Sequence, residues 1–273
     1  MVGKWKERAL KTFSKKLGKT LVNTSFSLVV VTLLWVLSLW IFHVSPYIGK
    51  NPVDVYNFLF VKDVAAANRD LVMTALNQTL YDASIGFCAG IALASLVAVL
   101  FALSKGIEQA LMPIAMLLRS VPLIAMTPII ILISGRGNVT VAVMGAIVVL
   151  FPALVNIVFG LRSVSPVMAD LVSVYGASKL KALRTVAFPS SLPAFFAAVK
   201  ISVPGAITGA LLVEWLATGS GIGYGIVSAV GRAKAYEVWA YVVVITVVSI
   251  LLYNLVALIE DYVLDRFGFV KAK

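Results

Sequence analysis

The chain has 273 residues, of which 61% are hydrophobic and only 13% charged, with 23 Lys and Arg against 12 Asp and Glu. Soluble domains hold about 25% charged residues, so this composition excludes a soluble enzyme, a secreted disulfide scaffold and a disordered tail. The cations flank apolar runs and form no basic face interleaved with aromatic residues, which argues against nucleic-acid binding. We therefore predict an all-α, polytopic membrane protein.

The N-terminal segment, residues 1–25, is basic and precedes the first long apolar run, Phe26–Val44, which holds no formal charge. That run exceeds the core of a signal peptide, about 7–15 residues, and no small-residue cleavage site follows it. We predict an uncleaved first transmembrane helix over residues 26–44, then a polar external segment over residues 45–80.

Five further apolar runs follow, each of about 20 residues or more and therefore long enough to cross about 30 Å of hydrocarbon. They are Ala83–Ser104, Ile107–Ile133, Val139–Leu161, Phe195–Leu216 and Val238–Ile259. With the first run they predict six transmembrane helices, five of them in a core over residues 81–265. Cys88, the single cysteine, cannot form an internal disulfide, and we expect a buried apolar thiol there.

The third apolar run, Ile107–Ile133, is longer than one crossing requires and holds Pro113, Pro122 and Pro128. Because proline kinks a helix, this run is either a tilted and bent span or a helix whose first turns lie in the cytoplasmic interface. Arg119 then either faces a water-filled path near the midplane or extends to the cytoplasmic edge. The sequence leaves both alternatives open.

Six spans place both termini on one side, and the distribution of Lys and Arg indicates which side. With the N terminus inside, and with residues 162–200 counted as one cytoplasmic segment, cytoplasmic segments hold 16 of the 23 cations and external segments hold six, which leaves Arg119 within a span. We therefore predict a multi-pass protein of the cell membrane with cytoplasmic termini, the C-terminal tail covering residues 266–273.

The longest internal cytoplasmic segment, residues 162–194, is less apolar than the runs on either side of it and has helical periodicity. Its apolar positions recur at i, i+3, i+4 and i+7: Met168, Leu171, Val172 and Tyr175. Gly176 should stop or bend this helix, and a basic amphipathic stretch, Ser178–Val186, follows. We expect Pro189 and Pro193 to end that stretch just before the fifth span.

Part of this segment resembles the coupling loop of binding-protein-dependent ABC importer permeases. The matching residues are Gly176, Ala177, Ser178, Val186, Phe188, Pro189, Leu192 and Pro193. The family has Glu-Ala-Ala where this chain has Asp170, Leu171 and Val172, so the acidic group is shortened and two small residues become bulky. The resemblance continues through Glu214 and Gly219–Gly225, is closest to the nitrate, taurine and alkanesulfonate subfamily, and covers about residues 70–265.

The resemblance implies a type I ABC importer permease, the membrane subunit that receives a small solute from an external solute-binding protein. Cytosolic ATPase subunits would contact the residues at the matching positions: Asp170, Leu171, Val172, Gly176, Ala177, Pro189 and Pro193. This chain is not expected to be an enzyme or to hold a cofactor or metal. ATP and Mg²⁺ are expected on the ATPase, because Gly18-Lys19-Thr20 lacks the first glycine of a phosphate-binding loop. A second permease copy, in a homodimer within the lipid, would complete the path.

The candidate path or gate residues are Arg119, Glu214, Gly219, Gly221 and Gly223. The run from Thr218 to Gly225 has too many glycines for a lipid-exposed helix, and irregular backbone in a membrane needs protein or water to satisfy it. Glu214 either orients this segment or is a solvated carboxylate at the outer boundary. The resemblance implies nitrate, taurine, a sulfonate or a small heterocyclic precursor as solute. The alternative function is a secondary carrier or channel that is not coupled to an ATPase.

Overall fold

The computed structural model describes residues 2–61 and 63–269, so residues 270–273 of the predicted tail and residue 1 lie outside the described part. The described residues form eleven α-helices: α1 (Val2–Ile41), α2 (Pro52–Tyr56), α3 (Ala65–Leu103), α4 (Lys105–Ser120), α5 (Leu123–Ser134), α6 (Asn138–Arg162), α7 (Pro166–Val174), α8 (Lys179–Ala182), α9 (Phe188–Val213), α10 (Gly221–Gly231) and α11 (Ala235–Arg266). Short π-helical turns continue α2, α8 and α9: Asn57–Val61, Leu183–Ala187 and Glu214–Thr218. The described part holds no β-strand, which confirms the all-α prediction.

Five continuous helices are long and apolar enough to cross a membrane, with α8 and α9 counted as parts of one helix over Lys179–Thr218. The remaining predicted span, the third in chain order, is a pair of helices, α4 and α5, with an angle of 106° between them. The break lies at Val121, whose extended backbone (ψ 126°) is the conformation favoured before a proline, here Pro122. The third apolar run is therefore two helices joined at a sharp bend and not one straight helix.

α3 begins at Ala65, well before the apolar run that predicted the second span. Its 39 residues extend about 58 Å, so the helix continues beyond a bilayer core of about 30 Å. Near its start, Asn68 Nδ2 and Arg69 Nη1 donate to the carbonyls of Phe58 and Leu59, each at 2.8 Å. The last part of the predicted external segment is thus helical and holds the preceding π turn in place.

α3, α6 and α9 pack against one another and form most of the core. The contact between α3 and α6 is very close at Gly86, where an added Cβ would lie 2.8 Å from the Gly145 Cα. An added Cβ on Gly90 would lie 2.5 Å from the Val149 Cβ. Cys88 lies between these glycines on the opposite face of α3 and is exposed on the single chain. The expectation of a buried thiol was therefore wrong.

α1 lies at the edge of the molecule, and no residue between Thr24 and Ile41 is buried within the chain. The Trp35 ring stacks on Trp239 of α11, with centroids 5.1 Å apart and planes within 7°. Asn254 Nδ2, also on α11, donates to Thr24 Oγ1 at 3.1 Å. The first span thus lies against the outside of the core, which it contacts through Trp35, and is tied to the last span by a few side chains.

Candidate coupling and gate segments

The candidate coupling segment, residues 162–194, folds as two short helices and the start of a long one. α7 ends at Val174, and Gly176 takes a left-handed φ of +66°. The Ala177 N–H donates to the Val172 carbonyl at 3.2 Å, the bond that closes a Schellman-type helix end. Nothing lies within 4 Å of a Cβ built on Gly176, so the left-handed backbone, and not lack of space, favours glycine here.

α7 presents an apolar surface that the rest of the chain does not cover. The exposed large apolar side chains are Val167, Met168, Leu171, Val174 and Tyr175. Val174 and Tyr175 are more than four-fifths exposed, at 85% and 82%. Asp170 is exposed beside them, and Val172 and Ala177 are half-buried. An exposed apolar patch next to a carboxylate is typical of a protein–protein contact site.

Pro189 and Pro193 lie inside a helix, so the prediction that they end the basic stretch was wrong. α8, the π turn and α9 form one continuous helix over Lys179–Thr218. In the π turn the Phe188 N–H donates to the Leu183 carbonyl, five residues back, which shifts the hydrogen-bond register just before Pro189. Proline lacks an N–H, and the register change lets the helix continue past that missing donor.

Glu214 is fully buried and connects three helices. Its Oε2 accepts a hydrogen bond from the Gly223 N–H of α10 at 2.7 Å and another from the Thr79 hydroxyl of α3 at 3.0 Å. Thr79 Oγ1 in turn accepts the Ile222 N–H at 2.9 Å. Glu214 therefore orients the glycine-rich segment, as in the first of the two sequence alternatives, and is not a solvated carboxylate.

Two of the three predicted gate glycines, Gly221 and Gly223, pack directly against this carboxylate and against α9. Gly219 closes the π turn with a φ of +68°, its N–H donating to the Glu214 carbonyl at 3.2 Å. Gly221 has a φ of +81°, and a Cβ there would lie 2.2 Å from the Glu214 Cδ. A Cβ on Gly223 would lie 2.2 Å from the Leu211 carbonyl oxygen. The start of α10 therefore fits its place only because these side chains are absent.

Sequence reasoning missed two further buried residues at this site, Thr79 and Asp82. Asp82 Oδ1 accepts from Gln78 Nε2 at 3.0 Å, whereas Asp82 Oδ2 and Glu214 Oε1 have no hydrogen-bond partner among the described residues. The available signal was an acidic residue directly before the apolar run that begins at Ala83, since carboxylates at membrane depth are functional candidates. Thr79 offered no comparable signal. No three His, Cys, Asp or Glu side chains of the described ranges could hold a metal ion together.

Arg119 lies apart from this cluster, near the end of α4. Its Cζ is 4.8 Å from the centroid of the Phe151 ring on α6, and at the start of α4 Glu108 forms an ion pair with Arg162. Glu108 and Arg119 are eleven positions apart on α4, about 16 Å along a helix, and so are Phe151 and Arg162 on α6. α4 therefore runs along the C-terminal half of α6. Arg119 is thus level with the middle of α6 and exposed on the single chain. This favours the midplane alternative over the cytoplasmic edge.

A sequence profile of a family described as binding-protein-dependent transport system inner membrane component matches residues 64–268. The matched region runs from the start of α3 to just beyond α11 and so includes both segments described above. α1 and α2 precede it.

Individual relatives are transport permeases. Over 221 residues, 81% of this chain and 86% of the relative, the sequence is 28% identical to a probable ABC transporter permease protein of Haemophilus influenzae. It is 30% identical over 180 residues (66% and 70%) to the formylaminopyrimidine transport permease protein ThiX of Halalkalibacterium halodurans. It is 24% identical over 180 residues (66% and 66%) to the nitrate import permease protein NrtB of a Synechocystis strain.

Proposed function

We propose how this chain, which belongs to the binding-protein-dependent transport system inner membrane components, works as the permease subunit of an ATP-driven ABC importer. One observation carries the proposal: the coupling segment and the Glu214 cluster lie at opposite ends of a single helix over Lys179–Thr218. A helix transmits displacement along its axis, whereas a flexible loop would absorb it. Movement applied at the coupling segment therefore reaches the glycine-rich segment.

The coupling segment contacts the ATPase subunits in this proposal. The uncovered ridge of α7 supplies apolar contact area, and Asp170 supplies a charge for a cation on the partner. Gly176 fixes the angle between α7 and α8, and Leu171, Val172, Ala177, Pro189 and Pro193 belong to the same segment. ATP and Mg²⁺ bind to the partner subunits and not to this chain.

We place the coupling segment and both termini in the cytoplasm, with the glycine-rich segment toward the external solute-binding protein. The excess of Lys and Arg in the proposed cytoplasmic segments supports this orientation. Glu214, Gly219, Gly221 and Gly223 then belong to an outer gate. Release of the gate would move the start of α10, which is held by hydrogen bonds to buried side chains.

A second copy of the chain forms the other wall of the path. Arg119 supports this proposal, because its guanidinium is level with the middle of α6 and is exposed on the single chain. A cation facing hydrocarbon at that depth costs at least about 2.5–3.5 kcal/mol. A homodimer would cover Arg119 and place two such cations on one path.

The two copies of Arg119 favour a small anion, such as nitrate or a sulfonate, or a small electron-rich heterocyclic precursor as solute. The names of two relatives, a nitrate import permease and a formylaminopyrimidine transport permease, agree with this range. The solute-binding protein makes the first selection, and the path tolerates what that protein delivers.

Reconstitution tests the proposal as a whole. The chain is co-expressed with its ATPase, the complex is purified and placed in liposomes, and uptake of nitrate, taurine and a formylaminopyrimidine is measured with and without ATP and binding protein. We expect uptake that needs both. Uptake without ATP, or failure of the ATPase to co-purify, would instead support a carrier or channel.

Arg119 is tested in the same liposomes. Arg119→Ala should lower uptake severalfold and leave assembly with the ATPase intact, while Arg119→Lys should retain part of the uptake. The matched control is Arg136→Ala, which removes an exposed cation from the turn before α6. Unchanged uptake by Arg119→Ala would remove this residue from the path.

A further inference from the structure

The N-terminus of α10 is capped by side chains of other helices and not by its own N-cap residue. Ser220 precedes the helix, but its side chain caps none of the free N–H groups and instead contacts Thr218 Oγ1 at 3.5 Å. The N–H groups of Ile222 and Gly223 donate to Thr79 Oγ1 and Glu214 Oε2. A helix leaves its first N–H groups without partners inside the helix, so these two contacts replace the missing ones.

Thr79 is the link between the second span and this cap. Its hydroxyl is fully buried and accepts from the Ile222 N–H. Its single proton has two acceptors within reach, Glu214 Oε2 at 3.0 Å and the Ala75 carbonyl at 3.1 Å. The cap therefore needs α3 and the end of α9 to be correctly aligned. A hydrogen bond weakens steeply once its heavy atoms separate beyond about 3.2–3.5 Å. A relative shift of about 1 Å would break the cap.

We propose that Thr79 is a positioning residue that keeps the glycine-rich segment closed only while α3 and α9 keep this alignment. The inference rests on the proposed function, in which the ATPase acts on the coupling segment. α8 belongs to the same continuous helix as Glu214, so displacement at α8 moves Glu214 relative to Thr79 on α3. The start of α10 is bonded to both residues, so it cannot keep both cap contacts once they separate, and the outer segment opens.

Amide hydrogen exchange of the purified complex with its ATPase, in lipid nanodiscs without nucleotide, tests the cap directly. Thr79→Val keeps the shape of the side chain and removes its hydroxyl, so exchange at Ile222, which loses its acceptor, should rise about fivefold or more. Exchange at Gly223 should rise with it, because its acceptor Glu214 loses the hydrogen bond from Thr79. Thr79→Ser keeps the hydroxyl and should stay within about twofold of the wild type. Thr208→Val is the matched control, because the Thr208 hydroxyl is exposed and bonds only within α9.

A second arm tests the link to the ATPase. Trapping the wild-type complex with ATP and vanadate should raise exchange at Ile222 and Gly223 to the level of Thr79→Val, and Thr79→Val should show no further increase. Basal ATP hydrolysis without solute should rise in Thr79→Val and return in Thr79→Ser. An unchanged exchange rate in Thr79→Val, or a trapped wild type that exchanges like the resting one, would overturn the proposal.

The two arms separate this inference from the proposed function. Failure of the importer proposal appears earlier, as a chain that does not bind an ATPase or import solute with ATP. Failure of the Thr79 proposal appears in a complex that imports normally but whose α10 amides do not respond. A general loss of protection across α3 and α10 in both Thr79 variants would indicate misfolding and would also count against a specific cap.

Discussion

Replacing Gly176 tests the coupling segment most directly, because the structure separates backbone strain from steric clash. A Cβ at this position meets nothing within 4 Å, and its φ is +66°. Gly176→Leu therefore costs the left-handed penalty alone, about 1–2 kcal/mol, with no repacking of the spans. That penalty corresponds to about a 5- to 30-fold lower population of the observed angle between α7 and α8. The variant should insert and accumulate normally but bind the ATPase more weakly by that factor.

The assay is titration of the purified ATPase subunit against permease in nanodiscs, followed by solute-stimulated ATP hydrolysis. Gly176→Asn is the matched control, since asparagine tolerates the left-handed region better than other residues and should lose much less. Asp170→Asn should also be mild, with less than about a fivefold change, because an exposed ion pair contributes little. If Gly176→Leu binds and couples like the wild type, or Gly176→Asn fails equally, the strain argument is refuted.

Two further predictions concern topology and the outer segment. Single cysteines at Lys15 and Ala182 should be shielded from impermeant thiol reagents added outside, and one at Asn57 should react; external labelling at 182 would reverse the orientation. Gly223→Ala should lower the melting temperature of the purified permease, because its Cβ would lie 2.2 Å from the Leu211 carbonyl and overpacking costs about 1–3 kcal/mol or more.

Each of these experiments has a control within the chain. Native Cys88 is exposed, so it is first replaced by serine to remove its own reaction with the reagent. Gly231→Ala adds the same methyl group where nothing lies within 4 Å and φ is not left-handed, so it should leave stability unchanged or slightly higher. A melting temperature equally lowered in both glycine variants would contradict the close contact at Gly223.

Apolar length predicted the spans well where a helix is apolar from end to end. The run Val139–Leu161 lies within one residue of both ends of α6, Asn138–Arg162. Apolar length did not predict the start of α3, because polar residues around Asp70 and Asp82 end an apolar run without ending a helix. Proline content indicated a break in the third run, but not the 106° angle between α4 and α5, since both helices also pack against α6, which is distant in sequence.

Proline was also the source of the error in the coupling segment. Pro189 and Pro193 were expected to stop a helix, yet the π turn before α9 changes the bonding register and the helix continues. Local spacing does not encode that change. The helix end at Gly176 could be predicted, because a glycine that follows a periodic helix indicates a left-handed end. Thr79 could not be found from sequence, since its role depends on partners 135 and 143 residues away along the chain.

The loose attachment of α1 has a consequence for the membrane that the protein can occupy. Because no residue between Thr24 and Ile41 is buried within the chain, core packing does not fix the length of that apolar stretch, and hydrophobic matching to lipid can set it. Insertions or deletions of a few apolar residues between Thr24 and Trp35 would change its tilt and put its two contacts with α11 out of register, but would leave α3, α6 and α9 undisturbed. The first span is therefore the part of this permease free to adjust to bilayers of different thickness.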